Sequence, residues 1–268
     1  MLPTDPAAVP GAPAETVAAF FDVDNTLVRG ASLYLLARKM HQRRFFRLRE
    51  ILWLALKQLL FSARGEHLGD INQIRDRALL MAKDIKVSQI EDLGNEIFDE
   101  YIEPKLWRGT VAIARQHLAV GREVWLVTAT PLEVSNVIAA RLELTGSLGT
   151  VVERKDGAYT GRLASPVLHG IEKAQAAREL AARRGISLSK SWAYSDSYND
   201  VPLLEAVGHP VCINPDARLR AYAKRRGWQV YDFRTGHRAA RISLRAAGVI
   251  GALWAARRSL QDLRNRLR

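Results

Sequence analysis

The sequence predicts an α/β protein: a doubly wound parallel sheet with a small helical module inserted near its start. Three observations predict this class. Apolar, strand-length runs alternate with helix-length patterns from residue 17 to about 214, as they do where crossover helices join parallel strands. The interval 31–104 carries no strand signal and many helix formers, so it interrupts the alternation as an insertion. Each apolar run also ends at or near a polar residue, and open parallel sheets bind ligands beyond the carboxyl ends of their strands.

In order, the strands are "VAAFF" (17–21), "EVWLVT" (123–128), "SWAYS" (191–195) and "PVCIN" (210–214). The first has no Gly or Pro and reads as a short buried strand. Helical patterns occupy 109–119, 131–142, 172–184 and 200–207. "VVERKDGAYTGRL" (151–163) reads as a hairpin turning at Asp156-Gly157. Residues 1–14, with Pro and Ala but no basic start before an apolar run, read as a loose lead-in and not a signal peptide. The core is then expected over 15–30 and 105–235, the helical module over 31–104 and a basic tail over 236–268.

Composition bounds the function. The 48% hydrophobic content of the 268 residues supports a substantial core. A single cysteine, Cys212, excludes an intramolecular disulfide and a cysteine-built zinc site, and suits a reducing cytoplasm. The net charge is +12, and the tail contributes eight arginines against one aspartate. Within the tail, "AAGVIGALWAA" (246–256) has 11 uncharged residues, fewer than the roughly 20 needed to span a bilayer. It reads either as a helix packed on its own domain or a partner, or as a contact with an anionic membrane surface. The segment 43–61, "RRFFRLREILWLALKQLLF", is apolar nearly all round at 51–56. Burial in the module, a homodimer contact and a peripheral membrane contact are its readings. No nucleic-acid motif or stacking platform is present, so no nucleic-acid partner is expected. "GIEKA" is not a full P-loop pattern.

The chemistry concentrates at the strand ends. In "FFDVDNTL" (20–27) the strand runs into Asp22 and Asp24, which share one side of an extended chain. Two carboxylates held that close are costly without a cation nearby. Thr128 follows the second strand, Asp196 and Asp200 follow the third, and Lys173 opens a helix. Carboxylate oxygens suit a hard cation such as Mg²⁺, while Lys and Thr offer donors to phosphate oxygens. One carboxylate can attack phosphorus and a second can move the proton. His169 lies beside this set and reads as structural; His67, His117 and His209 show no metal spacing.

"DVDNT" followed by Leu27-Val28 resembles the first motif of the haloacid dehalogenase-like (HAD) superfamily. "LVTAT" resembles the second motif, Lys173 the third and "SDSYNDVPLLEAVG" the fourth, in matching order. The insertion after the first motif and "GHPVCINPDARLRAYAKRRGW" (208–228) are similar to subfamily IB, the phosphoserine-phosphatase-like branch. The resemblance covers roughly 17–235 and implies a HAD-like Rossmannoid core whose insertion is a small cap. It implies a Mg²⁺-dependent phosphomonoester hydrolase with Asp22 as nucleophile and Asp24 as general acid/base. Mg²⁺ would be held by Asp22, the backbone carbonyl of Asp24 and Asp196. Thr128 and Lys173 would bind the phosphoryl group, with Thr26 and Asp200 in support. Arg75 and Arg77 in the cap are candidates for meeting an anionic substrate group.

The expected partner is a small phosphate ester, either a phosphorylated metabolite or a lipid-linked phosphate, in the cytoplasm or at its membrane surface. Phosphoserine phosphatases typically carry a Glu shortly after the first motif, but here Ala31 stands at about that place and no acidic residue follows until Glu50. Phosphoserine hydrolysis, phosphotransfer to an alcohol and a non-catalytic membrane adaptor are the other readings.

Overall fold

The computed structural model describes residues 15–43, 45 and 79–234. The lead-in 1–14, the tail 236–268, Arg75, Arg77, His67 and nearly all of 43–61 lie outside the described residues. Among the described residues no helix is long and apolar enough to cross a membrane.

Strand β1 (Ala18–Phe21) is central and fully buried. Alternate side chains of a strand face opposite ways, so Ala18 and Phe20 enter one layer while Phe21 enters the other. The first layer joins Phe20 and Val127 to Ala174, Ala177, Leu180, Leu203, Leu204 and Leu219. In the second, Phe21 stacks on Tyr194 at 4.2 Å and meets His117 edge-on at 6.3 Å. Helices therefore cover both faces, as a parallel sheet requires.

Helix α1 (Ser32–Gln42) and helix α2 (Val87–Ile97) come from the inserted interval. A π-helical turn at Phe98–Ile102 and a 3-10 turn at Glu103–Lys105 lead back to the core. Helix α3 (Arg108–Ala119) precedes β2 (Glu123–Pro131), and α4 (Leu132–Arg141) leads to β3 (Gly146–Thr150). The hairpin β4 (Val152–Lys155) and β5 (Ala158–Leu163) forms where the sequence predicts it. Asp156 and Gly157 turn it with φ of 52° and 76°, the signature of a primed hairpin turn. Helix α5 (Ile171–Arg184), β6 (Trp192–Ser195), α6 (Val201–Glu205), β7 (His209–Ile213), α7 (Ala217–Arg226) and β8 (Gln229–Tyr231) complete the core.

The six-stranded sheet has the order β3-β2-β1-β6-β7-β8. Every pairing in it is parallel. The connections leave β1 toward β2 on one side and return to β6 on the other, which makes the carboxyl end of β1 the topological switch point. The described residues up to Tyr231 form one compact unit, within which α2 packs on α4 and α1 packs on α2 and β2. The second unit begins at Asp232, where the Arg234 guanidinium binds the Asp232 carboxylate at 2.9 Å.

The structure differs from the sequence expectation at the sheet edges. β3 and β8 carry no strand signal: "GSLGT" has two glycines, a residue depleted from strands, and "QVY" is three residues long. β3 exists because its glycines admit close neighbours. A Cβ on Gly146 would lie 2.5 Å from the Trp125 ring, and one on Gly149 would lie 2.9 Å from the Leu132 nitrogen. β2 runs past Thr128 to Pro131, with a register irregularity between Val127 and Pro131. The helix expected over 200–207 is shorter, α6 alone, and is entered through a 3-10 turn at Tyr198–Asp200.

One close approach at the far end of the sheet generates a prediction. The Gly208 N–H donates to the Leu188 carbonyl at 2.9 Å, and a Cβ on Gly208 would sit 1.7 Å from the Ser189 carbonyl oxygen. Gly208→Ala is expected to destabilise the protein by about 1–3 kcal/mol through overpacking, read as a lowered midpoint in thermal or urea unfolding.

Candidate functional site

The end of β1 delivers Asp22 into the crevice. Its N–H donates to the Tyr194 carbonyl of β6 at 2.9 Å, so the backbone is clamped to the neighbouring strand just where the chain leaves the sheet. The chain then doubles back: Leu27 and Val28 both donate N–H to the Val23 carbonyl at 2.9 Å. Asn25, with φ of 55°, makes the turn, as a short polar side chain does at modest cost. Two further bonds tie this loop down. The Asn214 amide donates to the Asn25 carbonyl at 3.2 Å, and the Trp107 N–H donates to the Leu27 carbonyl at 2.9 Å.

Lys173 reaches the same point from the first turn of α5. Its ammonium donates to Asp22 Oδ1 at 2.6 Å and to Asp200 Oδ2 at 2.7 Å. Asp22, Lys173 and Asp200 are 5%, 4% and 2% exposed, so this is a buried ionic triad and not a surface pair. The Ser195 hydroxyl, at the end of β6, donates to the same Asp200 oxygen at 2.7 Å and accepts from the Ser197 N–H at 3.1 Å. The Asp196 backbone is held by Asp216. The Asp216 N–H donates to the Asp196 carbonyl at 2.8 Å, while its carboxylate accepts from Tyr198 N–H and caps α7 at the Leu219 N–H.

The electrostatics follow from burial. Desolvation drives the Asp22 carboxyl up to about 6 against the pull of Lys173, with Asp200 and Asp24 adding to the rise. Desolvation, reinforced by Asp22 and Asp200, pushes Asp196 up to about 8. Burial alone would lower the Lys173 pKa, but attraction to the two carboxylates prevails and raises it. The cluster holds more negative charge than its one lysine offsets.

A second set of bonds surrounds Asp24. Its Oδ1 accepts from the Ser32 N–H at 2.8 Å and the Ser32 hydroxyl at 2.5 Å. Ser32 Oγ also lies 2.5 Å from Thr130 Oγ1, and the Thr128 hydroxyl donates to Thr130 Oγ1 at 3.1 Å. Thr26 is fully buried, and its hydroxyl has no hydrogen-bond partner among the described residues.

The fold thus brings together Asp22, Asp24, Lys173, Asp196 and Asp200 and joins Thr128 to Asp24 through Thr130 and Ser32, while Thr26 is buried in the turn after Asp24 without a hydrogen bond to any of them among the described residues. Sequence reasoning missed Ser32, Thr130, Ser195 and Asp216. Thr130 was findable, since residues 128 and 130 of a strand share a face. Ser32 carried no signal, because only the return of the chain after Asn25 places it on Asp24. His117 and His209 both contact Trp192: the His209 ring stacks on it at 4.3 Å and the His117 ring lies tilted against it at 5.1 Å between ring centres. His117 also pairs with the Tyr194 hydroxyl at 2.8 Å, and its pKa is lowered to about 4 by burial and Arg122.

A family model described as haloacid dehalogenase-like hydrolase matches residues 19–205. A phosphoserine phosphatase of Mycobacterium tuberculosis is 48% identical over 250 residues, covering 93% of this chain and 81% of that protein. Among solved structures, a Bordetella pertussis protein of unknown function superposes with a TM-score of 0.71 at 32% identity, covering 81% of this chain and 99% of that one. An apo phosphoserine phosphatase superposes with a TM-score of 0.54 at 19% identity, covering 77% and 90%, a likeness of fold. On these matches and on its parallel sheet, the chain belongs to the haloacid dehalogenase-like hydrolase family and groups by sequence with its phosphatases.

Proposed function

We propose that this protein is a Mg²⁺-dependent phosphomonoester hydrolase working through a phosphorylated Asp22. The observation that carries the proposal is the buried Asp22 carboxylate at the switch point of the sheet, held by the Lys173 ammonium at 2.6 Å. In the proposed reaction an Asp22 oxygen attacks phosphorus, the P–O ester bond breaks, and Asp24 gives its proton to the departing oxygen. Asp24 then takes a proton from water, the water oxygen attacks phosphorus, and the bond to Asp22 breaks to release phosphate. Lys173 and the Thr128 hydroxyl supply donors for the phosphoryl oxygens, whose charge is spread in a loose transition state. Asp200 and Ser195 fix the ammonium of Lys173.

The donor set fits a hard cation. Asp22 and Asp196 are both raised by burial and by neighbouring carboxylates, Asp200 and Asp24 for Asp22, and Asp22 and Asp200 for Asp196, the condition a divalent ion relieves. Among the described residues no three His, Cys, Asp or Glu side chains form a ligand cluster by themselves. Two carboxylates with a backbone carbonyl and waters is the kind of set Mg²⁺ accepts. Asp22, the Asp24 carbonyl and Asp196 would hold it. When bound, Mg²⁺ supplies positive charge against the phosphoryl group and the two carboxylates.

For the substrate, the proposal is a phosphorylated metabolite or lipid-linked phosphate. Ala31 is the N-cap of α1 and immediately precedes the serine that touches Asp24. At this position the chain has a methyl group and no carboxylate to pair an ammonium. Phosphoserine is the second reading, favoured by the name of the 48%-identical mycobacterial relative.

Three outcomes are expected. Asp22→Asn should lose phosphate release by at least about 10³-fold while keeping its circular dichroism; a variant as active as the parent would remove the covalent mechanism. In a panel of phosphate esters with Mg²⁺, phosphoserine should not lead, and a clear preference for it would install the second reading. Thermal melts should show the cation site. Asp196 titrates near 8 in the fold against an ordinary 3.8, so the metal-free fold favours its protonated form. Metal-free stability is therefore fullest below the ordinary value and declines as pH rises toward 8. Mg²⁺ should raise the melting temperature more at pH 8 than at pH 5, where protons compete with it. An equal shift at both would contradict this.

A further inference from the structure

We propose that Ser32, the first residue of the inserted helix α1, is a positioning residue for the proton-transfer carboxyl Asp24, through a chain of hydroxyls that starts at Thr128. The inference rests on the reading of Asp24 as general acid/base.

Proton counting gives the chain a direction. The Ser32 hydroxyl has one proton and lies 2.5 Å from both Asp24 Oδ1 and Thr130 Oγ1. An ionised carboxylate only accepts, so the Ser32 proton points to Asp24. Thr130 must then donate to Ser32, and Thr128 donates to Thr130 at 3.1 Å. The order Thr128, Thr130, Ser32, Asp24 links β2 to the proposed acid beyond β1 by way of the inserted helix; when the single Thr128 proton turns to a phosphoryl oxygen, the Thr130 proton still goes to Ser32 and the link to Asp24 is kept. Ser32 is fully buried and both threonines are 1% exposed, so water does not compete for these bonds.

Both Ser32 donors fall on Oδ1 of Asp24. A carboxyl that carries its proton on Oδ2 keeps Oδ1 as an acceptor, so the grip of Ser32 survives both protonation states. That is what an acid/base group needs from its support, because it must hold one orientation while its proton leaves and returns. The same contact has a plain structural use. Ala31, the N-cap of α1, offers no side-chain oxygen to the free N–H groups of the first turn, and Asp24 caps one of them. The two roles differ in one measurable respect. A cap supports turnover of every ester alike, whereas acid positioning matters most when the departing oxygen is basic and needs a proton.

The test compares Ser32→Ala, Thr130→Val and Asp24→Asn with the parent, using full-length protein and Mg²⁺. The esters are glycerol phosphate, with an alkoxide leaving group, and p-nitrophenyl phosphate, whose leaving group departs without a proton. Ser32→Ala is expected to lower kcat for the alkyl ester by about ten-fold or more, with KM within about three-fold and aryl-ester kcat within about three-fold. Thr130→Val should act in the same direction and less strongly. Asp24→Asn, the reference, should show the same selectivity in larger measure. Equal losses on both esters in Ser32→Ala, or no loss on the alkyl ester, would overturn the positioning role while leaving Asp24's reading intact. An Asp24→Asn variant without ester selectivity, or a parent that turns over neither ester, would overturn that reading and this inference with it.

Discussion

The Lys173 ammonium, shared by Asp22 at 2.6 Å and Asp200 at 2.7 Å, is the contact on which the rest of the site depends. Three charges removed from water are stable only when they satisfy one another, since a buried charge left alone costs several kcal/mol. The triad joins three parts of the chain that are remote in sequence: the end of β1, the first turn of α5 and the turn after β6. It can form only if the sheet order puts β1 beside β6 and the start of α5 above them. The core between Phe20, Val127 and α5 supplies that arrangement. Lys173 reaches the crevice as Ala174 and Ala177 of the same helix enter the core.

The site is not arranged for maximum stability. Asp22 and Asp196 remain in a region where burial and neighbouring carboxylates favour their neutral forms. An apolar replacement of such groups is often neutral or stabilising. Retaining them is the trade expected at sites that carry chemistry, where local rules are broken and stability is recovered elsewhere. Here the recovery is visible in the surrounding backbone. Asp216 holds the Asp196 carbonyl and caps α7, and Asn214 holds the loop after β1. A rigid frame thus presents groups that would otherwise relax apart.

The inserted interval is bound to that frame at several points. The return segment donates Trp107 N–H to Leu27 and accepts Arg29 N–H at Lys105, both at 2.9 Å. The hairpin pairs with the approach to α2, where the Asp84 N–H donates to the Tyr159 carbonyl at 2.9 Å and the Val87 N–H to the Gly157 carbonyl at 3.0 Å. At the opposite end Ser32 touches Asp24 directly. The first residue of helix α1 is therefore in the site, and a displacement of α1 would be felt at once at a carboxyl oxygen of Asp24 and at Thr130 of β2.

Much of this was legible before the structure. An apolar run closed by Asp22 and Asp24, a Lys opening a helix and the "SDSYND" turn are local patterns, and local patterns follow from the period of strand and helix. The sequence by itself determined the alternating α/β class, the four central strands, the Asp156-Gly157 hairpin and the residues able to carry charge into a crevice. Only the tertiary structure decided which of them meet. β3 depends on glycines beneath Trp125 and beside Leu132, a neighbour relation that no propensity encodes. The shortening of the helix after Asp200 and the lengthening of β2 to Pro131 are set by packing and register. Ser32 and Thr130 became part of the site because a turn of only a few residues folds the chain back on itself, and the direction of a hydroxyl proton is defined by its partners in space.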